Sequence, residues 1–146
     1  MGASGWSYVV EYRGDPMAAL AELRYTTLSR GDYFWDGDSE EHIGRRPASL
    51  AELDSLRETD EFWEIGTHSV LDVDRVVGGD QDVEGTVRQL TAAEAREMFG
   101  TATPTRAQFE ALSNGLPYGE RWSGLCQVLY RDGHPTEIAF WGSSGD

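Results

Sequence analysis

Three side chains between residues 68 and 74 have the types and spacing to bind a divalent cation or to move a proton. His68, Asp72 and Asp74 belong to the run GTHSVLDVDRVV from Gly66 to Val77, whose β-branched residues and alternation predict a strand. Alternate residues of a strand project to the same side, so the imidazole and both carboxylates would share one face. A charged, solvent-exposed face would show the same alternation without any function. Both interpretations stay open.

An oxygen-rich run from 36 to 42, DGDSEEH, offers the carboxylates that hard cations prefer. The run lacks the glycine and the bidentate glutamate that an EF-hand loop requires, so it also fits a solvated acidic loop. The histidines and the single cysteine do not have zinc-binding spacing, and the glycines form no phosphate-binding turn. We therefore expect no metal site and no cofactor.

The net charge of the chain is −14, and it is concentrated in one segment. Residues 32–84 contain sixteen acidic residues and four arginines, for a net charge of −12, whereas residues 1–31 have a net charge of zero and residues 85–146 of −2. Such a field repels nucleic acid phosphates and anionic membranes and attracts basic protein surfaces. We expect a basic protein partner and no binding to nucleic acid or membrane. The alternative is that the charge serves solubility alone.

Aromatic residues are interleaved with the acidic residues between positions 32 and 64. Acidic side chains speed association with a basic partner, and large aromatic side chains supply much of the affinity of a protein interface. The mixture predicts a protein-binding module, comparable to an immunity-type or inhibitor protein that docks on a basic partner. Packing in the core is the alternative for each aromatic residue. The predicted binding residues are Trp35, Asp36, Asp38, Glu40, Glu41, Asp60, Glu61, Trp63 and Glu64.

An α+β fold must position these residues. Runs of β-branched and aromatic residues predict strands at 6–12, at 66–77 and, as a hairpin around Asp132-Gly133, within 122–141. Capping residues predict helices that begin after Asp15, Ser49, Thr91 and Thr103. Residues 32–46 have no regular period and predict a long loop anchored by its aromatic residues. The whole indicates a mostly antiparallel sheet of about four strands with helices packed on one side.

The composition indicates a single folded domain over residues 1–146. Hydrophobic residues make up 39% and aromatic residues 11% of the chain, enough to form one core. No apolar run approaches the roughly 20 residues that cross a bilayer, and the first residues lack the pattern of a signal peptide. The only cysteine, Cys126, lies in an apolar run and is expected to be a buried thiol. These features favour the cytoplasm.

Two short motifs resemble parts of bacterial ADP-ribosyltransferase toxins. They are YRGD from Tyr12, after the first strand, and EIAF from Glu137, in the last. The resemblance implies that Arg13 would help to hold NAD and that Glu137 would stabilise a developing ribosyl cation. The Ser-Thr-Ser strand of that family has no counterpart here. The alternative to a binding module is therefore a small enzyme, with a cleft around Arg13 and Glu137 or around His68, Asp72 and Asp74.

Over its whole length the chain also resembles small acidic proteins of actinobacteria to which no activity is assigned. The runs that carry the resemblance are WSYVVEY, GTHSVLDVDRV and TEIAFWG. It implies a bacterial cytosolic setting and no particular reaction.

Overall fold

Five strands form one sheet in the order β1-β5-β4-β3-β2. The computed structural model describes residues 4–35, 46–112 and 115–144. The strands are β1 (Ser4–Glu11), β2 (Arg75–Val77), β3 (Thr86–Gln89), β4 (Ser123–Arg131) and β5 (His134–Ser144). The helices are α1 (Pro16–Arg30), α2 (Leu50–Leu56), α3 (Phe62–Ile65), α4 (Ala92–Phe99) and α5 (Arg106–Ala111), with a 3₁₀ turn at Val70–Asp72. β5 is antiparallel to both of its neighbours, whereas β2, β3 and β4 are parallel to one another.

The α+β class predicted from the sequence is confirmed, but the predicted sheet was incomplete. The sheet has five strands and is mixed, and hydrophobic clusters cover both of its faces instead of one. β3 consists of only the four residues TVRQ and has no alternation that marks it in the sequence. Because β3 is parallel to both of its neighbours, its presence makes the sheet mixed instead of mostly antiparallel.

A tight turn joins β1 to α1, as predicted. Gly14 has a φ of 96°, a left-handed conformation that glycine adopts without strain. The side chain of Asp15 accepts a hydrogen bond from the backbone N of Met17 at 3.0 Å, and Pro16 occupies the start of the helix. α1 ends at Gly31, which is also left-handed. No helix in the described segments is both long and apolar enough to cross a membrane.

β4 and β5 form the predicted hairpin. Its turn residues Asp132 and Gly133 have φ of 52° and 78°, as a type I′ turn requires. On its other side β5 pairs with β1, and there the ring of Trp6 packs on Gly124 and Gly142. A Cβ atom on Gly142 would be 2.5 Å from Cζ2 of Trp6 and 2.6 Å from the carbonyl oxygen of Ser123, so the close contact of this ring requires glycine.

Side chains of β1 alternate between two hydrophobic clusters. Tyr8 and Val10 contact the cluster that contains Leu23 of α1, and Val9 contacts the cluster on the opposite face, with the buried phenylalanine of α5. Helices therefore cover both faces of the sheet. Cys126 is fully buried in the first cluster, as predicted, and burial raises the pKa of its thiol to about 12.

A third cluster anchors the acidic segment of the chain. Leu53 of α2 and Phe62 of α3 are fully buried, and Trp35 is 2% exposed. The predicted start of α2 is confirmed, because Oγ of Ser49 accepts a hydrogen bond from the backbone N of Glu52 at 3.2 Å. Tyr33 and Trp35, at the start of the predicted loop, therefore pack in this cluster, while residues 36–45 lie outside the described part of the chain.

The prediction of a strand at 66–77 was largely wrong. Only β2 lies in the sheet, and the residues before it form a loop with a 3₁₀ turn. Oγ of Ser69 accepts a hydrogen bond from the backbone N of Leu71 at 3.1 Å, and the carboxylate of Asp72 accepts one from the backbone N of Thr67 at 2.7 Å. Such bonds from side chains to the local backbone compete with the ladder of a strand.

α5 begins two residues later than predicted. Its cap is Thr105, whose Oγ1 accepts a hydrogen bond from the backbone N of Gln108 at 3.2 Å while Oε1 of Gln108 accepts one from the backbone N of Thr105 at 2.8 Å. Pro104 precedes the helix, and its carbonyl oxygen accepts a hydrogen bond from the backbone N of Tyr130. Thr91 forms the predicted capping box at the start of α4.

Candidate functional site

Asp72 is the centre of a buried hydrogen-bond network. Its side chain is fully buried, and Oδ1 accepts hydrogen bonds from the backbone N of Thr67 at 2.7 Å and from Oγ1 of Thr67 at 2.8 Å. Oδ2 contacts Oγ of Ser144. Burial raises the pKa of the Asp72 carboxyl above its ordinary value, although these hydrogen bonds lower it. The network ties the end of β5 to the loop before β2, which is a structural role.

His68 and Asp74 lie in other surroundings. His68 has a φ of 52°, and its ring packs edge to face on Phe34 with the ring centroids 5.1 Å apart. Asp74 forms an ion pair with Arg57 at 3.0 Å. The prediction that His68, Asp72 and Asp74 share one strand face is wrong, because the chain is not a strand there. Among the described residues no group of three or more His, Cys, Asp and Glu side chains could hold a metal ion.

Arg13 and Glu137 form ion pairs with different residues. Arg13 pairs with Glu11 at 3.1 Å, and both side chains are 68% exposed. Glu137 lies opposite Glu11 in the pairing of β1 with β5, but it forms its ion pair with Arg106 of α5 at 2.8 Å. The open depression of about 670 Å³ beside Glu137 is lined by described residues that do not include Arg13. The two residues that the resemblance to ADP-ribosyltransferases singles out therefore have separate partners.

The predicted binding residues fall into three groups. Four lie outside the described residues, namely Asp36, Asp38, Glu40 and Glu41. Three are exposed on or beside α3, namely Asp60, Glu61 and Glu64. The two tryptophans belong to the third cluster, where Trp35 is buried and Trp63 is partly buried.

Arg57 fixes the backbone around α2 and α3. Its guanidinium donates hydrogen bonds to the carbonyl oxygens of Asp72 at 3.0 Å and of Gly85 at 3.3 Å, and it pairs with Asp74. The guanidinium also lies 5.3 Å from the centroid of the Trp63 ring. Nε1 of Trp63 in turn donates a hydrogen bond to the carbonyl oxygen of Arg57 at 2.6 Å. Both the ring and the nitrogen of Trp63 are thus held in place.

Four carboxylates remain on the outside of this fixed segment. They are exposed, and none of them forms an ion pair with another described residue. Nearby carboxylates have a different role, since Asp54 pairs with the buried Arg24 at 2.7 Å and Asp74 pairs with Arg57. We call the four unpaired carboxylates the acidic surface: Glu58, Asp60, Glu61 and Glu64.

Phe34 is an exposed aromatic side chain near the C-terminal end of α3. It is 48% exposed, its ring packs on His68, and its backbone N donates a hydrogen bond to the carbonyl oxygen of Thr67 at 2.9 Å, which places it just beyond the C-terminal end of α3. Tyr33 and Trp35 on either side of it pack in the third cluster. The sequence analysis chose Trp35 as the aromatic residue of the binding site. Since Tyr33 and Trp35 point inward, the alternation of neighbouring side chains was the signal that could have indicated Phe34 instead.

The described residues thus bring together exposed carboxylates, an exposed ring and a rigid support. They do not bring together the groups of either enzyme hypothesis, since Asp72 is buried and Arg13 and Glu137 are paired elsewhere. Comparison of the chain with protein families, with curated proteins and with solved structures gave no match, so its function has to be argued from this surface.

Proposed function

We propose that the protein is an acidic binding module, of the immunity or inhibitor type, that docks on a basic protein through the acidic surface and Phe34. The observation that carries the proposal is that the carboxylates at Glu58, Asp60, Glu61 and Glu64 are exposed and have no ion-pair partner among the described residues. Four like charges within seven residues repel one another, and this repulsion lowers the stability of the isolated fold slightly. A basic partner would relieve that repulsion on binding.

The rigidity of the acidic surface favours recognition over solubility. Solubility requires only that charges be exposed, whereas a specific interface gains affinity when its side chains are ordered before binding. Here the backbone that bears the carboxylates is held by the bonds of Arg57 to two carbonyl oxygens and by the packing of Phe62. Phe34 adds apolar area that a charged surface alone does not have, and exposed aromatic side chains are frequent anchors of interfaces.

The test compares two variants from which the same number and type of charges have been removed. The surface variant carries Glu58→Gln, Asp60→Asn, Glu61→Gln and Glu64→Gln. The control variant carries the same chemical changes at exposed positions elsewhere, namely Glu97→Gln, Glu110→Gln, Glu120→Gln and Asp132→Asn. Both variants have the same net charge, so a difference between them reports the position of the charges.

Each immobilised protein is incubated with a bacterial lysate at about 0.1 M and at about 0.5 M salt, and captured proteins are quantified by mass spectrometry. We expect a basic protein that is enriched on the wild type and the control at low salt, is lost at high salt, and is reduced about tenfold or more on the surface variant. A Phe34→Ala variant should also lose it. If wild type and surface variant capture the same proteins in equal amounts, the acidic surface is not a docking site.

A further inference from the structure

The outer edge of β1 is a second surface with the features of a binding site, and it is separate from the acidic surface. β1 is eight residues long and lies at the end of the sheet, where it pairs with β5 only. The sheet edge at β2 is different, since β2 has three residues and its Val76 nitrogen contacts Sδ of Met17 at 3.0 Å. Long edge strands that nothing covers are templates for the addition of another strand.

The pairing of β1 with β5 shows which backbone groups point outward. The backbone N of Tyr12 donates a hydrogen bond to the carbonyl oxygen of Thr136, which continues the register in which Glu11 lies opposite Glu137. Hydrogen-bonded pairs alternate along an antiparallel ladder, so the even-numbered residues of β1 bond to β5. The N–H and C=O groups of the odd-numbered residues then point away from the sheet. No described residue accepts from or donates to these outward groups of Ser7 and Val9.

A groove of about 290 Å³ runs between this edge and α1. Its described lining combines the apolar side chains of Val10, Ala19 and Leu23 with the carboxylate of Glu22. Val9 and Glu11, two of the residues with outward backbone groups, also belong to the lining, so the groove and the open edge form one continuous surface. An extended chain placed along β1 would have every second side chain directed into the groove.

We propose that β1 binds an extended, positively charged segment of a partner protein, which adds to the sheet as a sixth strand. Residues of the segment opposite Tyr8 and Val10 insert apolar side chains into the groove under α1. Residues opposite Val9 and Glu11 project to the other face, where basic side chains meet Glu11. This inference goes beyond the acidic surface, and neither site requires the other.

Charge selects this occupant over a second copy of the same chain. Each copy has a net charge of −14, so two copies repel one another, whereas a basic segment is attracted by the whole molecule. Two carboxylates beside this edge favour the same choice, Glu22 in the groove and Glu11 on the opposite face, and Arg30 is the single cation in the described lining of the groove. The nearby Arg13 is already paired with Glu11 in an exposed contact, which a competing cation can replace at little cost.

The probes are three synthetic heptapeptides with blocked ends. The first alternates arginine and valine, the second replaces each arginine with glutamate, and the third is the first peptide with N-methyl groups on alternate residues, which prevent pairing along an edge. Binding is measured by fluorescence anisotropy and by the amide spectrum of ¹⁵N-labelled full-length protein. We expect the first peptide to bind, with the largest shifts and slowed exchange at the amides of Ser7, Val9 and Glu11, and the other two to bind at least tenfold more weakly.

Two variants with one matched control assign this binding to the groove. Val9→Pro removes an outward N–H, a change that edge strands tolerate, and should abolish binding. Glu22→Arg should weaken binding about fivefold, while Glu97→Arg, the same charge reversal on the exposed side of α4, should change it less than twofold at about 0.15 M salt. The four-carboxylate surface variant should bind the peptide like the wild type, so that this test and the test of the acidic surface can fail separately.

Several outcomes would overturn the proposal. Equal binding of the N-methylated peptide would exclude strand addition, and equal binding of the glutamate peptide would exclude a basic occupant. If the amide signals shift only outside β1 and α1, the peptide binds elsewhere on the protein. The same conclusion follows if Glu22→Arg and Glu97→Arg weaken peptide binding equally. A dimer in sedimentation that Val9→Pro dissociates would show that a second copy occupies the edge.

Discussion

Two substitutions of Asp72 test separately whether the stability of the fold depends on the hydrogen bonds of this side chain or on its negative charge. In Asp72→Asn the amide oxygen can still accept both hydrogen bonds from Thr67, and the amide nitrogen can donate to Oγ of Ser144. In Asp72→Ala no acceptor is left. Since burial raises the pKa of the Asp72 carboxyl, its ionised form is unfavourable in the fold. We expect the alanine variant to be much less stable than the wild type and the asparagine variant to be at least as stable at neutral pH.

The cost of Asp72→Ala follows from the donors that lose their acceptor. The backbone N of Thr67 and Oγ of Ser144 are buried and would be left without a partner, whereas Oγ1 of Thr67 keeps its contact with Oγ of Ser69 at 2.7 Å. Each buried donor without an acceptor costs about 1–3 kcal/mol, so the free energy of unfolding should fall by about 4 kcal/mol.

The stability of the wild type should also fall relative to Asp72→Asn as the pH rises. Between the ordinary pKa of an aspartate and the raised pKa of Asp72, the unfolded chain has released this proton and the folded chain has kept it. Rising pH in that window therefore favours the unfolded wild type. Below the ordinary pKa both states are protonated, and this contribution to folding is fully present. The asparagine variant has no such proton, so the difference between the two proteins grows with pH until the folded pKa is passed.

Urea unfolding followed by tryptophan fluorescence, in steps from about pH 3.5 to about pH 8, measures all three proteins under the same conditions. The other carboxylates titrate in each protein alike and cancel in the difference. If Asp72→Asn loses as much stability as Asp72→Ala at neutral pH, the fold requires the ionised carboxylate and the reasoning is wrong. A difference between wild type and Asp72→Asn that stays constant over the whole range would refute the raised pKa.

Three further predictions concern single residues. Cys126 should react with a disulfide reagent only after denaturation, because it is buried and its pKa is raised to about 12; modification of the folded protein at the rate of a free thiol would contradict this. Gly142→Ala should lower the free energy of unfolding by about 3 kcal/mol or prevent folding, because the new Cβ would overlap the Trp6 ring and a backbone oxygen; an unchanged thermal midpoint would disprove the overlap. Arg57 bonds both carbonyl oxygens through Nη2 and pairs with Asp74 through Nη1, whereas the ammonium of a lysine has a single nitrogen that cannot occupy both positions. Arg57→Lys keeps the charge and should cost about 2 kcal/mol in urea unfolding; a loss below about 0.5 kcal/mol would show that the charge alone suffices.

The ends of several elements could be predicted because they depend on neighbouring residues. Asp15 and Thr91 cap helices through bonds to backbone nitrogens two or three residues away. Gly31 ends α1 and Asp132 starts a hairpin turn because of the conformations that these residue types adopt. Each signal is complete within a few positions of the chain. The predicted start of α5 was wrong by two residues because Thr105 competed with Thr103 as the cap.

The candidate site was harder to predict because burial depends on distant partners. Trp63 is partly buried because its ring packs on Trp122, with ring centroids 5.2 Å apart, and nothing near position 63 announces that contact. Asp72 and the exposed carboxylates of α3 are chemically alike in the sequence. They differ in burial only in the folded protein, where Ser144 at the end of β5 lies beside Asp72. The concentration of acidic residues in one segment was visible from the sequence. Which of these residues are buried, which form ion pairs and which are exposed without an ion pair was not.

The pairing of β1 with β5 affects the order in which the strands join the sheet while the chain is being synthesised. Ser4 lies opposite Ser144, so this ladder joins segments separated by almost the whole chain, whereas β4 and β5 are joined by a two-residue turn. Contacts between distant segments close large loops and form slowly, and local hairpins form fast. Because a ribosome makes the chain from its N-terminus, β1 emerges before the other strands of this sheet but has no partner until β5 has been synthesised. Of these five strands, the first to leave the ribosome is therefore the last to join the sheet.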